Sequence, residues 1–183
     1  KLGGPKGVGA LYVRKGVRLQ PLLVGGDQER GLRGGTPNLP GIAGFAAAVR
    51  FWEREGERLR ARLRELAERL RVELSELSGL RWNTPPEAHR TAPHILNLSV
   101  PGLRGEVLVH RLEQEGVYVS TGSACHSRRA HPSHVLLAMG RSEQEAISAV
   151  RVSLGPDTTE EDVAHAAEAF RVALHDLRFL VPS

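Results

Sequence analysis

The single cysteine of the chain lies in a segment whose composition suits sulfur chemistry. Cys125 stands in S-T-G-S-A-C-H-S at 120–127, directly after a predicted strand, and small residues on both sides leave its thiol accessible. A thiolate is a strong nucleophile where cationic neighbours stabilise it, and His126, His131 and His134 follow closely. A lone cysteine is more often a small buried hydrophobic residue, so both interpretations stay open on these residues alone.

The same cluster must also be considered as a metal site, because cysteine and histidine are zinc ligands. It contains one sulfur, and the spacing Cys125-His126-x4-His131-x2-His134 matches no common zinc finger. Pro132 also opens a predicted helix between the last two histidines. We therefore predict that no metal is bound.

Two further residue groups could bind anions. Arg151 lies in a predicted strand at 150–154. There it is either a surface residue of an edge strand or a guanidinium held for a carboxylate, which arginine can bind with two parallel hydrogen bonds. The Gly34-Gly35-Thr36-Pro37 segment precedes a predicted helix, so its amides and the Thr36 hydroxyl could hold an anion, but a simple capping loop explains the pattern equally well.

The N-terminal part of the chain must position the Thr36 segment. Two short β-like runs at 9–14 and 19–24, separated by glycines, predict strands joined by tight turns. From about Leu39 the pattern becomes helical, and a leucine stripe runs from Leu59 to Leu77 before Gly79 ends the helix. We expect this stripe to pack on its own domain, although a dimeric coiled coil would use the same pattern.

The C-terminal part must position Cys125 and Arg151. Strands are predicted at 95–100, 117–120 and 150–154, and they alternate with helices at 106–115, 132–139, 142–149 and 159–177. The pairs Ser142/Glu145 and Thr159/Asp162 have the spacing of helix N-caps. These elements predict a compact α/β unit from about residue 80 onwards.

Composition excludes several classes of function. The 183 residues carry a net charge of +4, and 4% are aromatic, which argues against direct nucleic-acid binding through stacked bases. The longest uncharged stretch, 34–49, contains two prolines and is shorter than the roughly 20 apolar residues that a membrane helix needs. A single cysteine excludes internal disulfides and fits a reducing compartment. We therefore expect a cytoplasmic protein without membrane contact.

Five motifs in fixed order make the chain resemble the C-terminal half of a cysteine desulfurase, an enzyme of the class-V aminotransferase group that uses pyridoxal phosphate. The motifs are K-x-x-G-P-K-G-V-G at 1–9, G-G-x-Q-E-R-G-x-R-x-G-T at 25–36, A-P-x-I-L-N at 92–97, S-T-G-S-A-C at 120–125 and R-V-S-L-G-x-x-T-T-E-E-D at 151–162. Each alone would be weak, but the resemblance covers almost the whole chain.

The resemblance implies a role for four residues. Lys1 matches the lysine that binds the cofactor covalently and moves the substrate's α-proton, and Cys125 matches the cysteine that takes sulfur from the substrate. Arg151 matches the arginine that holds the substrate's α-carboxylate. Thr36 matches a residue that reaches the cofactor phosphate of the other subunit, which implies a homodimer. The resemblance assigns no role to His126.

The resemblance also implies a fold and a reaction. The fold would be that of α/β pyridoxal-phosphate enzymes of fold type I, with residues 1–42 as the end of the large cofactor domain, 43–79 as a linking helix and 80–183 as the small domain with the cysteine loop. The reaction would convert L-cysteine to L-alanine and leave a persulfide on Cys125 for acceptor proteins that supply iron–sulfur clusters or tRNA thiolation. The family's upstream half carries other cofactor contacts, so these residues alone are expected to be inactive.

Three alternatives remain open on the sequence. The chain could belong to a selenocysteine lyase or to another class-V aminotransferase, either of which would use the same cofactor. A transaminase would not need Cys125. The non-enzymatic alternative is a sulfur-relay or zinc-stabilised binding module, which would depend on metal rather than on pyridoxal phosphate.

Overall fold

A computed structural model describes residues 2–121 and 132–180. These residues divide into two compact units, with the boundary between Glu57 and Arg58. The five α-helices of the described chain are α1 Leu39–Ser75, α2 Gly105–Gln114, α3 His134–Ala138, α4 Glu143–Ile147 and α5 Glu160–Leu177. The strands are β1 Arg81–Trp82, β2 Ile95–Ser99 and β3 Ala149–Ser153. Short 3-10 helices cover Gln28–Gly31, Ala88–Arg90 and Arg178–Leu180. None of the helices described is long and apolar enough to cross a membrane.

The first unit contains a glycine-rich chain and the beginning of α1. The strands predicted at 9–14 and 19–24 are wrong, because the structure has no strand at either position. The alternating side chains there have no buried face: Leu11 is 78% exposed and Leu22 93% exposed. Without a neighbouring strand within the described unit, the alternation has nothing to pair with.

The second unit is built on a three-stranded antiparallel sheet in the order β1–β2–β3. Strands β2 and β3 confirm the predictions at 95–100 and 150–154 to within one residue at each end. Strand β1 was not predicted, since two residues are too short to show a period. The strand predicted at 117–120 is wrong, because Ser120 alone pairs, in an isolated bridge to Arg151.

The two faces of this sheet differ in chemistry. Alternation along β2 and β3 places Leu96, Leu98, Val150 and Val152 on one face, where all four are buried in the main hydrophobic core. Helices α1, α2 and α5 add further side chains to that core, among them Leu66, Leu70, Leu74, Leu108, Leu112, Val163 and Phe170. The other face carries Asn97, Ser99 and Arg151.

Helix ends follow the sequence patterns in most cases. Both predicted capping boxes are present, Ser142 with Glu145 at α4 and Thr159 with Asp162 at α5. The leucine stripe of α1 packs into the core of its own unit, as expected. Helix α1 ends at Ser75 rather than at Gly79, and Gly79 makes a left-handed turn (φ +81°) four residues later.

We predict that the core-facing side of α1 stabilises the second unit and that its outer side does not. Leu70 is fully buried and Val72, two residues away, is 59% exposed. Leu70→Ala is expected to lower the free energy of unfolding by about 2–5 kcal/mol because it leaves a cavity, and Val72→Ala to change it by less than about 0.5 kcal/mol. Urea unfolding followed by circular dichroism measures both. Equal losses in the two variants would contradict this packing.

Candidate functional site

Among the predicted site residues, Arg151 is the one whose strand position and side-chain environment the structure describes in most detail. It lies in the middle of β3, opposite Asn97 of β2 and bridged on the other side to Ser120. Its side chain is partly buried, and its Nε is shielded from solvent without a hydrogen-bond partner. Within the described residues no carboxylate pairs with this guanidinium. A cation held in this way on a sheet is suited to bind an anion from outside the fold.

The bridge to Ser120 consists of two backbone hydrogen bonds. The Ser120 amide donates to the Arg151 carbonyl (3.1 Å), and the Arg151 amide donates to the Ser120 carbonyl (2.7 Å). Before the bridge, the Val117 amide closes the end of α2 by donating to the Leu112 carbonyl (3.0 Å). The chain that precedes the predicted cysteine loop is therefore fixed to the strand that carries Arg151.

The other residues on the polar face of the sheet, Asn97 and Ser99, form a hydrogen-bond network with Asn83 that the sequence analysis missed. Asn83 follows β1 and is 1% exposed; its Nδ2 donates to Asn97 Oδ1 (2.8 Å) and to Ser99 Oγ (2.7 Å). Ser99 Oγ in turn donates to the Glu145 carbonyl of α4 (2.7 Å), which also accepts from Ser148 Oγ (3.0 Å). The polar residues that alternate with leucines in I-L-N-L-S were the available signal.

Helix α4 is bonded to this face through the Glu145 carbonyl, and a capping box closes its N-terminus. Glu145 Oε2 accepts hydrogen bonds from the Ser142 amide (2.9 Å) and hydroxyl (2.9 Å), and Arg81 approaches the same carboxylate at 3.4 Å. The backbone hydrogen bond from Ser142 is the main cause that lowers the pKa of Glu145, followed by that from its hydroxyl. Ala146 packs with Leu136 of α3 in a small apolar cluster.

Thr36 lies in the first unit, in the loop that leads to α1. It is exposed, and its hydroxyl has no partner among the residues described in that unit. The side chain that caps α1 is Asn38, whose Oδ1 accepts from the Gly41 amide (3.1 Å). Thr36 is therefore not used as a helix cap, and its hydroxyl is free for a ligand.

Two predicted residues, Lys1 and Cys125, lie outside the described residues, as do His126 and His131. His134, the remaining member of the possible zinc cluster, is exposed at the start of α3. In the ranges 2–121 and 132–180, no group of three or more histidine, cysteine, aspartate or glutamate side chains could hold a metal ion. The absence of a metal stays a prediction.

Comparison with known proteins identifies the family. The profile of the family described as Aminotransferase class-V matches residues 1–165. The chain belongs to this family. One curated relative, Cysteine desulfurase IscS 1 of Archaeoglobus fulgidus, is 40% identical to this chain over 98% of the chain and 46% of its own length. Cysteine desulfurase IscS of Methanosarcina thermophila is 41% identical over 98% of the chain and 44% of its own length.

Solved structures confirm the predicted fold of this class-V chain. A structure titled NIFS-like protein superposes with a TM-score of 0.85 at 39% identity, over 96% of this chain and 44% of the other. A second, titled SspA in complex with cysteine, gives a TM-score of 0.56 at 31% identity, over 85% of this chain and 42% of the other. The chain thus has the fold of the corresponding part of these fold-type-I proteins, and it spans about half the length of the relatives it matches.

We predict that acid destabilises the second unit partly through Glu145. Its folded-state pKa is lowered, so its contribution to stability is fully present above the ordinary pKa of a glutamate carboxyl and is lost as the pH falls through the lowered folded-state pKa. Glu145→Gln should therefore lose less stability than the unsubstituted protein when the pH is lowered from about 6 to 3. Urea titrations at several pH values measure this.

Glu143→Gln is the matched control, because Glu143 is exposed in the first turn of the same helix and lies outside the capping box. Its acid dependence should follow that of the unsubstituted protein. If Glu145→Gln follows it too, the capping box does not supply the acid-sensitive stability.

Proposed function

We propose that this chain is the C-terminal part of a cysteine desulfurase. The reaction is L-cysteine plus the Cys125 thiol giving L-alanine plus a Cys125 persulfide, in which the substrate's C–S bond breaks and an S–S bond forms. The relatives named cysteine desulfurase support this proposal. The observation in the chain itself that carries it is the guanidinium of Arg151, partly buried and without an acidic partner in the described structure.

Arg151 fits the task of holding an amino-acid carboxylate. Strand β3 fixes its backbone through five paired positions with β2, so the side chain starts from a rigid element. A guanidinium presents two parallel donors to a carboxylate, and such charge-assisted bonds are about twice as strong as neutral ones. Partial burial strengthens the interaction further, because less water competes for the donors. A carboxylate bound there is fixed in position and in rotation.

The nucleophile is proposed to be Cys125, which lies five residues after Ser120 in the sequence. Because Ser120 is bonded to Arg151, the segment that carries the thiol begins beside the proposed carboxylate site. A substrate held by its carboxylate would present its own sulfur to a residue of this segment. Covalent catalysis of this kind splits sulfur transfer into capture and later delivery.

The proposed cofactor is pyridoxal phosphate, with Lys1 as the residue that binds it covalently and Thr36 as a ligand of its phosphate from a partner subunit. When bound, the cofactor withdraws electrons from the substrate and makes its α-proton acidic. The free, exposed hydroxyl of Thr36 fits a phosphate ligand, since Asn38 already caps the helix that follows. The amine of Lys1 is proposed to move the α-proton.

The remaining assignments follow from the same proposal. The enzyme would be a cytoplasmic homodimer that delivers sulfur to acceptor proteins for iron–sulfur clusters or tRNA thiolation. It would not bind membranes or nucleic acid directly. Because the chain spans about half the length of its relatives, residues 1–183 alone are proposed to be inactive.

We predict that Arg151→Lys raises the KM for L-cysteine roughly tenfold or more, because it keeps the charge and loses the paired donors. The change in kcat should be smaller. Steady-state alanine formation by the full-length holoenzyme measures both constants. Arg141→Lys is the control: Arg141 also has a buried unpaired Nε, but its Nη2 donates to the Trp82 carbonyl (3.0 Å). Equal KM values for the Arg151 variant and the unsubstituted enzyme would refute the carboxylate assignment.

We predict that Cys125 gains one sulfur atom when the full-length holoenzyme is incubated with L-cysteine without reductant. The mass of the peptide that contains Cys125 should rise by one sulfur and return to its original value after reduction. Cys125→Ala should abolish persulfide formation. Alanine production with an unmodified peptide would mean that sulfur leaves by another route. Transamination activity that is unchanged in Cys125→Ala would favour an aminotransferase.

A further inference from the structure

In the polar network on the sheet, the identity of the acceptor at one end determines which atom donates in each hydrogen bond. The Glu145 carbonyl can only accept hydrogen bonds, so the Ser99 hydroxyl must use its one proton to donate to it (2.7 Å). Ser99 Oγ is then an acceptor for its other neighbour, Asn83, at 2.7 Å. The atom that Asn83 presents must therefore be its amide nitrogen, and this fixes which way round the Asn83 amide stands.

The orientation of the Asn83 amide in turn determines that of the Asn97 amide. The second proton of Asn83 Nδ2 is donated to Asn97 at 2.8 Å, so the accepting atom is Asn97 Oδ1. The backbone adds to the constraint, because the Asn97 amide donates to Thr84 Oγ1 (2.7 Å) and the Asn97 carbonyl accepts from the Asn83 amide (2.9 Å). With its oxygen occupied, Asn97 has Nδ2 as its free end, and this group has no acceptor among the described residues.

Asn97 and Arg151 are cross-strand neighbours on the polar face of the sheet. They are directly opposite each other in the β2–β3 register, so their side chains leave the same face with Cβ atoms about 4.5–5.5 Å apart. The guanidinium of Arg151 can only donate hydrogen bonds, and the unused group of Asn97 is its Nδ2, because its Oδ1 already accepts from Asn83. Two adjacent donor groups without an acceptor in the described fold fit a ligand that supplies oxygen atoms and negative charge.

We infer that Asn97 Nδ2 is a second hydrogen-bond donor to the carboxylate that Arg151 binds. This inference rests on the proposed function and adds a specificity-determining residue to it. The bound class is an α-amino acid carboxylate, with Asn97 held in its donating orientation by the sequence of bonds from the Glu145 carbonyl through Ser99 and Asn83. An amide or an ester at the same position would lack the negative charge and would bind these two donors more weakly.

Two substitutions of Asn97 in the full-length holoenzyme test the direct contact. Asn97→Ala removes the donor. Asn97→Asp keeps the size and the oxygen that Asn83 needs, so that the network is retained, but it replaces the donor with a second acceptor. Each should raise the KM for L-cysteine and the inhibition constant of L-alanine about tenfold, with a smaller effect on kcat. The inhibition constant of L-alaninamide, which lacks the carboxylate, should not change.

A pair of serine variants tests the orientation. Ser99 and Ser148 both donate to the Glu145 carbonyl, and only Ser99 also accepts from Asn83. Ser99→Ala should raise the KM for L-cysteine, because the Asn83 and Asn97 amides are then no longer oriented. Ser148→Ala is the matched control, because it also removes one hydroxyl that donates to the Glu145 carbonyl. It should leave the KM unchanged.

The outcomes separate this inference from the proposed function. If Arg151→Lys raises the KM for L-cysteine and neither Asn97 variant does, the inference is wrong and the carboxylate site stands. If no Arg151 or Asn97 variant changes the KM, the proposed site itself fails. Equal losses for L-alanine and L-alaninamide, or equal effects of the two serine variants, would show a merely structural role and overturn the inference.

Discussion

The polar face of the sheet depends on one hydrogen bond, from the Ser99 hydroxyl to the backbone carbonyl of Glu145. A carbonyl cannot donate, so this bond sets the direction of every hydrogen bond that follows it across Asn83 to Asn97. Its own position depends on helix α4, which the Ser142–Glu145 capping box closes at its N-terminus. A helix of five residues has little stability of its own, so the capping box and the packing of Ala146 are what keep the carbonyl in place.

The apolar face gives the polar face its rigidity. Leu98 and Val150 are both fully buried on the core side, directly opposite each other in the β2–β3 register. A slip of β3 by one residue against β2 would turn Val150 to the polar side and Arg151 towards the core, so the core strongly selects this register. The close juxtaposition of an amide and a guanidinium is thus a consequence of hydrophobic packing on the reverse side. A site built on paired strands in this way is more precise than one built on loops.

The sequence predicts those parts of the fold that repeat a local pattern. The leucines of α1, the caps of α4 and α5, and strands β2 and β3 follow from periodicity and from residue types a few positions apart. The alternation at 9–24 misleads because a strand needs a partner, and the described part of the first unit offers none. Arg151 could be singled out as a charged residue among apolar neighbours. The role of Asn97 could not, because the direction of its amide depends on contacts between residues 14 and 16 positions apart and on a helix carbonyl 46 positions further on.

The reciprocal bonds between Ser120 and Arg151 also have a consequence for local unfolding. Their two amides are bonded to each other's carbonyls at 3.1 and 2.7 Å, and β3 is in turn paired along its length with β2. Such amides exchange with solvent hydrogen only when the paired unit opens, so their protection reports the opening free energy of the sheet. The chain before residue 122 is therefore anchored to the backbone of β3, and its distance from the Arg151 backbone stays constant while these two bonds are intact.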